Sequence, residues 1–125
     1  MPATSDLSGL RILVVEDTLL VADTIVDGLE LEGCSVVGPA PRVEPGLALA
    51  RAEPLDGALL DVNLGGEACF PIAEALSQRG IPFMFLTGYG ETVLPPAYRR
   101  VPRLTKPFSL DDLMEAMHSH FCKAA

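Results

Sequence analysis

Five short segments of the chain are predicted to be β-strands, and four of them end directly before polar or charged residues. The five segments span residues 10–15, 35–37, 57–60, 83–86 and 103–105. Short segments rich in β-branched and other apolar residues are typical of strands buried on both faces of a parallel sheet. The polar residues that follow are Glu16 and Asp17, then Asp61, Thr87 and Lys106. A fold that aligns these strands would gather the five polar side chains at one edge of the sheet.

Helical patterns separate most of the strands. Apolar residues recur three and four positions apart, which is the spacing of one face of a helix. The four stripes are Ala22, Ile25, Val26 and Leu29; Val43, Leu47 and Ala50; Ile72, Ala73 and Leu76; and Leu110, Leu113, Met117 and Phe121. Gly33 and Gly80 can end the first and third helices, and Pro71 is tolerable only in a first turn. Ser109 is expected to cap the last helix, with Asp112 three residues later.

Glycine and proline mark the remaining connections. Gly38 to Pro41 predicts a turn after the second strand, and Gly65-Gly66 is predicted to open a loop after the third. Between the fourth and fifth strands, Pro95-Pro96 and Pro102 allow only a short or irregular helix.

Strands that alternate with helices predict an α/β fold. We expect a flavodoxin-like, doubly wound, five-stranded parallel sheet of order 2-1-3-4-5, with an irregular fourth helix. In that order the first and third strands are neighbours where ligands bind, beyond the carboxyl ends of the strands. The 125 residues fit one domain. We expect a folded domain over residues 10–122, a flexible N-terminal extension over residues 1–9 and a C-terminal tail over residues 123–125.

Charge and cysteine content narrow the functional classes. A formal net charge of -8 opposes binding to the phosphate backbone of nucleic acids. Cys34, Cys69 and Cys122 are widely spaced and odd in number, so neither a disulfide framework nor a zinc site is predicted. No segment approaches the roughly 20 apolar residues that cross a bilayer, and the first residues lack the features of a signal peptide. We therefore expect a cytoplasmic protein with neither a membrane nor a nucleic-acid partner.

Three carboxylates at one sheet edge would repel one another unless a cation lay among them. Mg²⁺ prefers oxygen ligands and binds proteins through one or two carboxylates and waters, and Mn²⁺ is a possible alternative. Asp17 and Asp61 suit direct ligation, and the backbone carbonyl of Asn63 can supply a further oxygen. Glu16 is better placed to hold a metal-bound water.

With a metal in place, Asp61 is a candidate nucleophile toward phosphorus, because carboxylates form aspartyl-phosphate intermediates. Lys106 would supply a second cation beside it. Thr87 could donate a hydrogen bond to a phosphoryl oxygen that is absent in the resting state, which is what a switch requires. Phosphoryl transfer depends mainly on positioning and charge stabilisation, so these groups form a sufficient minimal site.

Four segments together resemble the response-regulator receiver family across residues 10–121: VVED at 14–17, LLDVNL at 59–64, FLTGY at 85–89 and TKPF at 105–108. The resemblance implies phosphorylation of Asp61, an acidic pair at Glu16 and Asp17, a switch hydroxyl at Thr87 and a phosphate-contacting Lys106. It also implies a signalling domain rather than an enzyme, with only self-catalysed phosphoryl transfer and dephosphorylation. The implied donor is a sensor histidine kinase or a histidine phosphotransfer protein.

Two positions depart from the common receiver pattern. Arg103 stands where many receivers carry an aromatic residue, three positions before the lysine, and Gly88 stands where a small residue with a methyl group is common. The Phe-x-Thr-Gly-Tyr sequence that ends at Tyr89 is similar to a single-domain receiver subgroup, which often works with bacterial histidine kinases in branched or stress-response pathways. We hypothesise that Tyr89 and the proline-weakened fourth helix replace the usual moving parts.

The favoured hypothesis is a stand-alone receiver, monomeric or weakly dimeric. Phosphorylation of Asp61 would change the affinity of its fourth helix, fifth strand and fifth helix for a downstream protein. One alternative is a Mg²⁺-dependent hydrolase of small phosphoesters. Haloacid-dehalogenase phosphatases usually place a second Asp two residues after the nucleophile, where this chain has Asn63. The other alternative is a receiver-like scaffold that is never phosphorylated and would need none of the charged site residues.

Overall fold

A computed structural model describes residues 7–88 and 94–121 of the chain. In chain order its elements are β1 (Arg11–Val15), α1 (Leu19–Leu31), β2 (Ser35–Ala40), α2 (Val43–Ala52), β3 (Gly57–Asp61), β4 (Asn63–Leu64), β5 (Glu67–Ala68), α3 (Phe70–Gln78), β6 (Phe83–Thr87), a 3₁₀ turn (Pro96–Tyr98), β7 (Arg103–Thr105) and α4 (Leu110–Phe121). None of the helices in this part of the chain is long and apolar enough to cross a membrane.

The main sheet has the order β2-β1-β3-β6-β7, and each neighbouring pair is parallel. Strands β4 and β5 form a separate antiparallel hairpin. Counting only the strands of the main sheet gives the order 2-1-3-4-5, which confirms the predicted flavodoxin-like fold. Strands β3 and β6 are buried at every residue, as expected for strands covered on both faces of a sheet.

Two hydrophobic cores lie on opposite faces of the sheet. Alternate residues of β1 contribute to each core, with Leu13 and Val15 in one and Ile12 and Val14 in the other. The first core includes apolar side chains of α2 and α3, and the second includes those of α1 and α4. The sheet is therefore held between two helical layers, which fixes its carboxyl edge in place.

The turn predicted at residues 38–41 is wrong, because β2 continues to Ala40. The carbonyl oxygen of Ala40 accepts a hydrogen bond from the backbone nitrogen of Glu16 at 3.0 Å. Pro39 has no N–H to donate, but β2 is an edge strand and can accommodate this loss. The extension places the end of β2 directly beside the residues that follow β1.

The folded part of the chain begins before residue 10, so the expected extension over residues 1–9 is wrong for residues 7–9. Leu7 is fully buried in the core that contains α1 and α4. The backbone nitrogen of Leu10 donates to its carbonyl oxygen at 3.1 Å, and Gly9 donates to Gly33 at 2.8 Å. Residues 1–6 and the expected tail over residues 123–125 lie outside the described residues.

The ends of the helices largely follow the sequence pattern. The backbone nitrogen of Asp112 donates to Ser109 Oγ at 3.0 Å, and that of Ser109 donates to Asp112 Oδ2 at 3.1 Å, which confirms the predicted cap. Pro71 lies in the first turn of α3, as required. The predicted buried face of the last helix is wrong at Leu110, which is 41% exposed. Leu110 lies at the start of α4, over Gly28 of α1. Within residues 94–102, the connection between β6 and β7 contains a single 3₁₀ turn, which confirms the predicted short or irregular helix.

We predict that Gly57→Ala lowers the free energy of unfolding by about 1–3 kcal/mol, as overpacking typically does. A Cβ at this position would lie 2.7 Å from Cδ1 of the Phe121 ring and 3.3 Å from Ile12 Cδ1. Urea denaturation followed by circular dichroism would measure the change.

Gly28→Ala is the matched control. Its Cβ would meet the flexible Leu110 side chain at 2.8 Å, and Ala favours an α-helix over Gly by about 1 kcal/mol. We expect no loss of stability in this variant. Equal losses in the two variants would contradict the close packing of Phe121 against β3.

Candidate functional site

The carboxyl ends of the parallel strands bring three acidic side chains together. Glu16 and Asp17 follow β1, and Asp61 ends β3, which is its neighbour in the sheet. Carboxylate oxygens of all three lie within 4.8 Å of one another. Glu16 is 2% exposed and Asp61 is 3% exposed, whereas Asp17 faces solvent. The buried carboxylates of Glu16 and Asp61 therefore lie close to that of Asp17, which is accessible to ligands from solvent.

Lys106 completes this charged cluster from the edge strand of the sheet. Its Nζ lies 3.2 Å from Asp61 Oδ2, and it donates to Glu16 Oε1 at 3.0 Å and lies 2.8 Å from Glu16 Oε2. The backbone nitrogen of Lys106 also donates to the carbonyl oxygen of Thr87 at 2.7 Å, which joins β7 to β6 at the site. Glu16 Oε1 accepts a further hydrogen bond from the backbone of Thr18 at 3.1 Å. One lysine thus contacts both buried carboxylates.

The ionisation of Asp61 is unfavourable in this cluster. Burial, followed by the negative charge of Glu16, raises its pKa from 3.8 to about 7, although Lys106 acts in the opposite direction. Burial alone would lower the pKa of Lys106, but its hydrogen bond to Glu16 and the charge of Asp61 outweigh that effect and raise it. A single ammonium group does not offset the crowding of three carboxylates. A cation among them would favour the charged form of Asp61.

The hairpin of β4 and β5 holds the open side of the site, where the sequence pattern predicts only a loop. Gly65 donates its backbone N–H to Asp17 Oδ2 at 3.0 Å, and Asn63 donates to Asp61 Oδ1 at 3.2 Å. Gly65 and Gly66 have φ of 63° and 95°, a conformation that favours glycine. A Gly-Gly pair is a common two-residue hairpin turn, so the sequence did contain the signal.

The remaining predicted site residues surround this cluster. Thr87 is 2% exposed at the end of β6, beside the strand that ends at Asp61. Gly88 is partly buried directly after it, and Arg103 is exposed on β7 opposite Phe85. Tyr89 lies outside the described residues. The structure therefore brings together the charged residues and places Arg103 at the start of the edge strand β7.

Cys69 is a buried structural residue, as its sequence context indicated. It is fully buried in the core beneath the site hairpin. Burial, followed by the charge of Asp61, raises the pKa of its thiol to about 12, so the thiol stays protonated near neutral pH. This side chain packs as a small apolar group of the core.

An aromatic cluster next to the site was not predicted. Tyr98 stacks on Phe70, with ring centroids 5.5 Å apart, and meets Phe85 edge-on at 5.8 Å. Phe83 also contacts both Phe85 and Tyr98. No single periodic pattern contains these residues, because they come from α3, β6 and the 3₁₀ turn. The cluster fixes the irregular connection against the sheet.

The site has the chemistry of a hard divalent metal centre. Mg²⁺ binds oxygen ligands, and carboxylates are the commonest charged ones. The three carboxylates offer oxygens within 4.8 Å of one another, and burial together with the charge of Glu16 raises the pKa of Asp61 to about 7. The acidic pocket therefore fits such an ion, and Lys106 places a positive charge beside Asp61.

The sequence matches the response regulator receiver domain over residues 12–118. The protein PmrA of Pseudomonas aeruginosa is described as a response regulator and is 35% identical over 109 residues, which cover 83% of this chain and 49% of PmrA. The chain thus spans about half the length of this curated relative.

Solved structures of response regulators are similar to this chain in both fold and sequence. SdrG from Sphingomonas melonis Fr1 has a TM-score of 0.79 at 40% identity, over 89% of this chain and 95% of that chain. A second structure, the BeF₃-activated conformation of SdrG from Pseudomonas melonis Fr1, has a TM-score of 0.74 at 38% identity, over 95% of this chain and 98% of that chain. The fold, the acidic pocket and these matches together show that the chain belongs to the response regulator receiver domain family of two-component signalling.

Proposed function

We propose that this receiver accepts a phosphoryl group on Asp61 and signals by phosphorylation-dependent binding to another protein. The observation that carries this proposal is the convergence of Lys106 with three carboxylates around a buried Asp61. The donor is the phosphohistidine of a sensor histidine kinase or of a histidine phosphotransfer protein. The domain acts as a cytoplasmic signalling module, monomeric or weakly dimeric, and without an enzymatic substrate of its own.

The proposed metal is Mg²⁺, with Mn²⁺ as an alternative. Asp17 and Asp61 would hold it directly together with the backbone carbonyl of Asn63, and Glu16 would hold the ion through a water. When bound, the ion offsets the charge of the carboxylates and of the entering phosphoryl group. The exposure of Asp17, beside two buried carboxylates, gives the ion a path from solvent.

In the proposed transfer, a carboxylate oxygen of Asp61 forms a bond to phosphorus. The bond between phosphorus and the donor's imidazole nitrogen breaks, and its electron pair returns to that nitrogen. Lys106 Nζ, already 3.2 Å from Asp61 Oδ2, stabilises the negative charge on the phosphoryl oxygens. The hydroxyl of Thr87 donates a hydrogen bond to one of these oxygens. This hydrogen bond can form only when the phosphoryl group is on Asp61. The bound phosphoryl group is thereby coupled to β6.

A displacement of Thr87 has a direct route to the surface. Thr87 and Phe85 are two residues apart on β6 and lie on the same face of the sheet. Phe85 contacts Tyr98 in the 3₁₀ turn and pairs with Arg103 on the neighbouring strand. Many receivers carry a switch aromatic residue at the position of Arg103. We therefore assign its role in the switch to Tyr98 in this chain. The related SdrG has a BeF₃-activated conformation, which supports a two-state switch of this kind.

The geometry disfavours the hydrolase alternative. Asn63 stands two residues after Asp61, and its Oδ1 accepts a hydrogen bond from Gly66 at 2.9 Å. An amide has no acidic proton to give to a leaving group. Steady turnover of a chromogenic phosphate ester would contradict the assignment as a signalling domain.

We predict that the purified chain, incubated with Mg²⁺ and phosphoramidate, gains the mass of one phosphoryl group. Asp61→Asn should abolish the gain, because an amide oxygen is a poor nucleophile toward phosphorus. Intact-protein mass spectrometry measures the result. Asp23→Asn, which changes an exposed residue of α1, is the matched control and should be phosphorylated like the natural chain. An equal gain in the Asp61→Asn variant would overturn the assignment of the acceptor.

We predict a distinct pH dependence of stability in the metal-free protein. The folded chain binds the Asp61 proton more tightly than the unfolded chain, since its pKa is raised from 3.8 to about 7. This contribution to the free energy of unfolding is present below pH 3.8 and is lost as the pH rises past about 7. Asp61→Asn should therefore be more stable than the natural chain above that pH.

Chemical denaturation across this pH range, with and without Mg²⁺, measures the effect. Saturating Mg²⁺ should stabilise the natural chain at neutral pH and stabilise the Asp61→Asn variant less, because the variant lacks one carboxylate ligand. The same Mg²⁺ stabilisation in both proteins would contradict the metal site.

A further inference from the structure

A cleft of about 450 Å³ opens beside Asp17, the exposed member of the acidic cluster. Asp17, Gly65 and Glu67 line one wall, and Pro41 and Arg42 line the other. Asp17 faces this cleft as the exposed member of the three carboxylates, and Gly65 donates a hydrogen bond to it at 3.0 Å. The cleft therefore opens next to the proposed acceptor, since carboxylate oxygens of Asp17 and Asp61 lie within 4.8 Å of each other.

The backbone on both sides of Arg42 is held in place. β2 ends at Ala40, which is hydrogen-bonded to Glu16, and α2 begins at Val43. Arg42 occupies the junction in an extended conformation with φ of -143° and ψ of 168°. This anchoring brings a guanidinium group to the cleft, although the residue is remote from the acidic pair in the sequence.

Arg42 has a different environment from the arginines that stabilise the fold. Arg11 pairs with Glu53 at 3.1 Å, and Arg79 donates to the carbonyl oxygens of Ala50 and Glu53. The side chain of Arg42 is exposed, and across residues 7–88 and 94–121 no carboxylate lies within the 4.0 Å of an ion pair with it. Its charge is available to a ligand in the cleft.

We propose that Arg42 binds the phosphoryl group of the incoming donor and guides it to Asp61. The inference rests on the proposed function and names a specificity-determining residue for it. Lys106 already contacts two carboxylates, so a dianionic phosphoryl group that enters beside Asp17 needs a further cation. A guanidinium offers paired N–H donors that match phosphoryl oxygens. The shared ligand chemistry is the phosphoryl dianion, whether it is carried by a small phosphoramidate or by phosphohistidine.

The charge of Arg42 acts with opposite signs on the two ligands of the site. It attracts the phosphoryl dianion, and it opposes binding of a divalent cation at Asp17 in the same cleft. Arg42→Ala should therefore lower the second-order rate constant for phosphorylation by phosphoramidate, by about threefold to tenfold at low salt. The same change should leave the affinity for Mg²⁺ unchanged or raise it by up to about threefold. A displaced loop would instead weaken both.

The experiment measures the phosphorylation rate by mass spectrometry at saturating Mg²⁺, and the Mg²⁺ dissociation constant by calorimetry without a donor. Arg42→Lys keeps the charge but loses the paired N–H donors, so its rate should lie between those of the natural chain and Arg42→Ala. Arg51→Ala, which removes an exposed arginine from the other end of α2, is the matched control and should change neither quantity. The effect of Arg42→Ala should shrink as the ionic strength rises.

Two results would overturn the role of Arg42. One is a natural phosphorylation rate in Arg42→Ala, and the other is a joint loss of rate and Mg²⁺ affinity, which would show that the residue only supports the loop. Failure of the proposed function is a separate outcome, in which the natural chain itself gains no phosphoryl group while still binding Mg²⁺, and it would remove the role of Arg42 with it.

Discussion

Repulsion among three carboxylates at one end of a parallel sheet is the constraint on which the site depends. Burial and the charge of Glu16 raise the pKa of Asp61 to about 7, even with Lys106 at 3.2 Å. Such an arrangement is costly as a purely structural feature, because an apolar or amide side chain would fill the same space without the charge. The arrangement is useful where a divalent cation and an anionic group bind together, since the cation then neutralises the charge of both the carboxylates and the anionic group.

The two cores give this charged edge its rigidity. The sheet lies between α2 and α3 on one face and α1 and α4 on the other, and its strands carry the site residues to fixed positions. The contacts that reach the site from outside the sheet are of a different kind. The hairpin holds Asp17 and Asp61 through backbone N–H groups, and Tyr98 contacts Phe85, which lies two residues before Thr87 on β6. A rigid scaffold with a separately packed surface element is suited to a switch.

The sequence predicted the strands and the charged site because both depend on local patterns. Each apolar segment ends at a polar residue, and parallel topology then brings Glu16, Asp61 and Lys106 to one edge. The contacts that could not be predicted are those between distant segments. The burial of Leu7 depends on a turn that contacts Gly33, and the position of Arg42 depends on a strand that continues through Pro39. The stacking of Tyr98 on Phe70 likewise requires the folded sheet.

Chemical trapping of the phosphorylated chain tests the central claim most directly. Borohydride reduces an aspartyl phosphate to homoserine, and peptide mapping by mass spectrometry then identifies the modified position. After treatment with Mg²⁺ and phosphoramidate, we expect homoserine at residue 61 and at none of the other carboxylates. Homoserine at residue 17 or elsewhere, or a phosphorylated chain that yields none, would contradict the assignment of Asp61 as the phosphoryl acceptor.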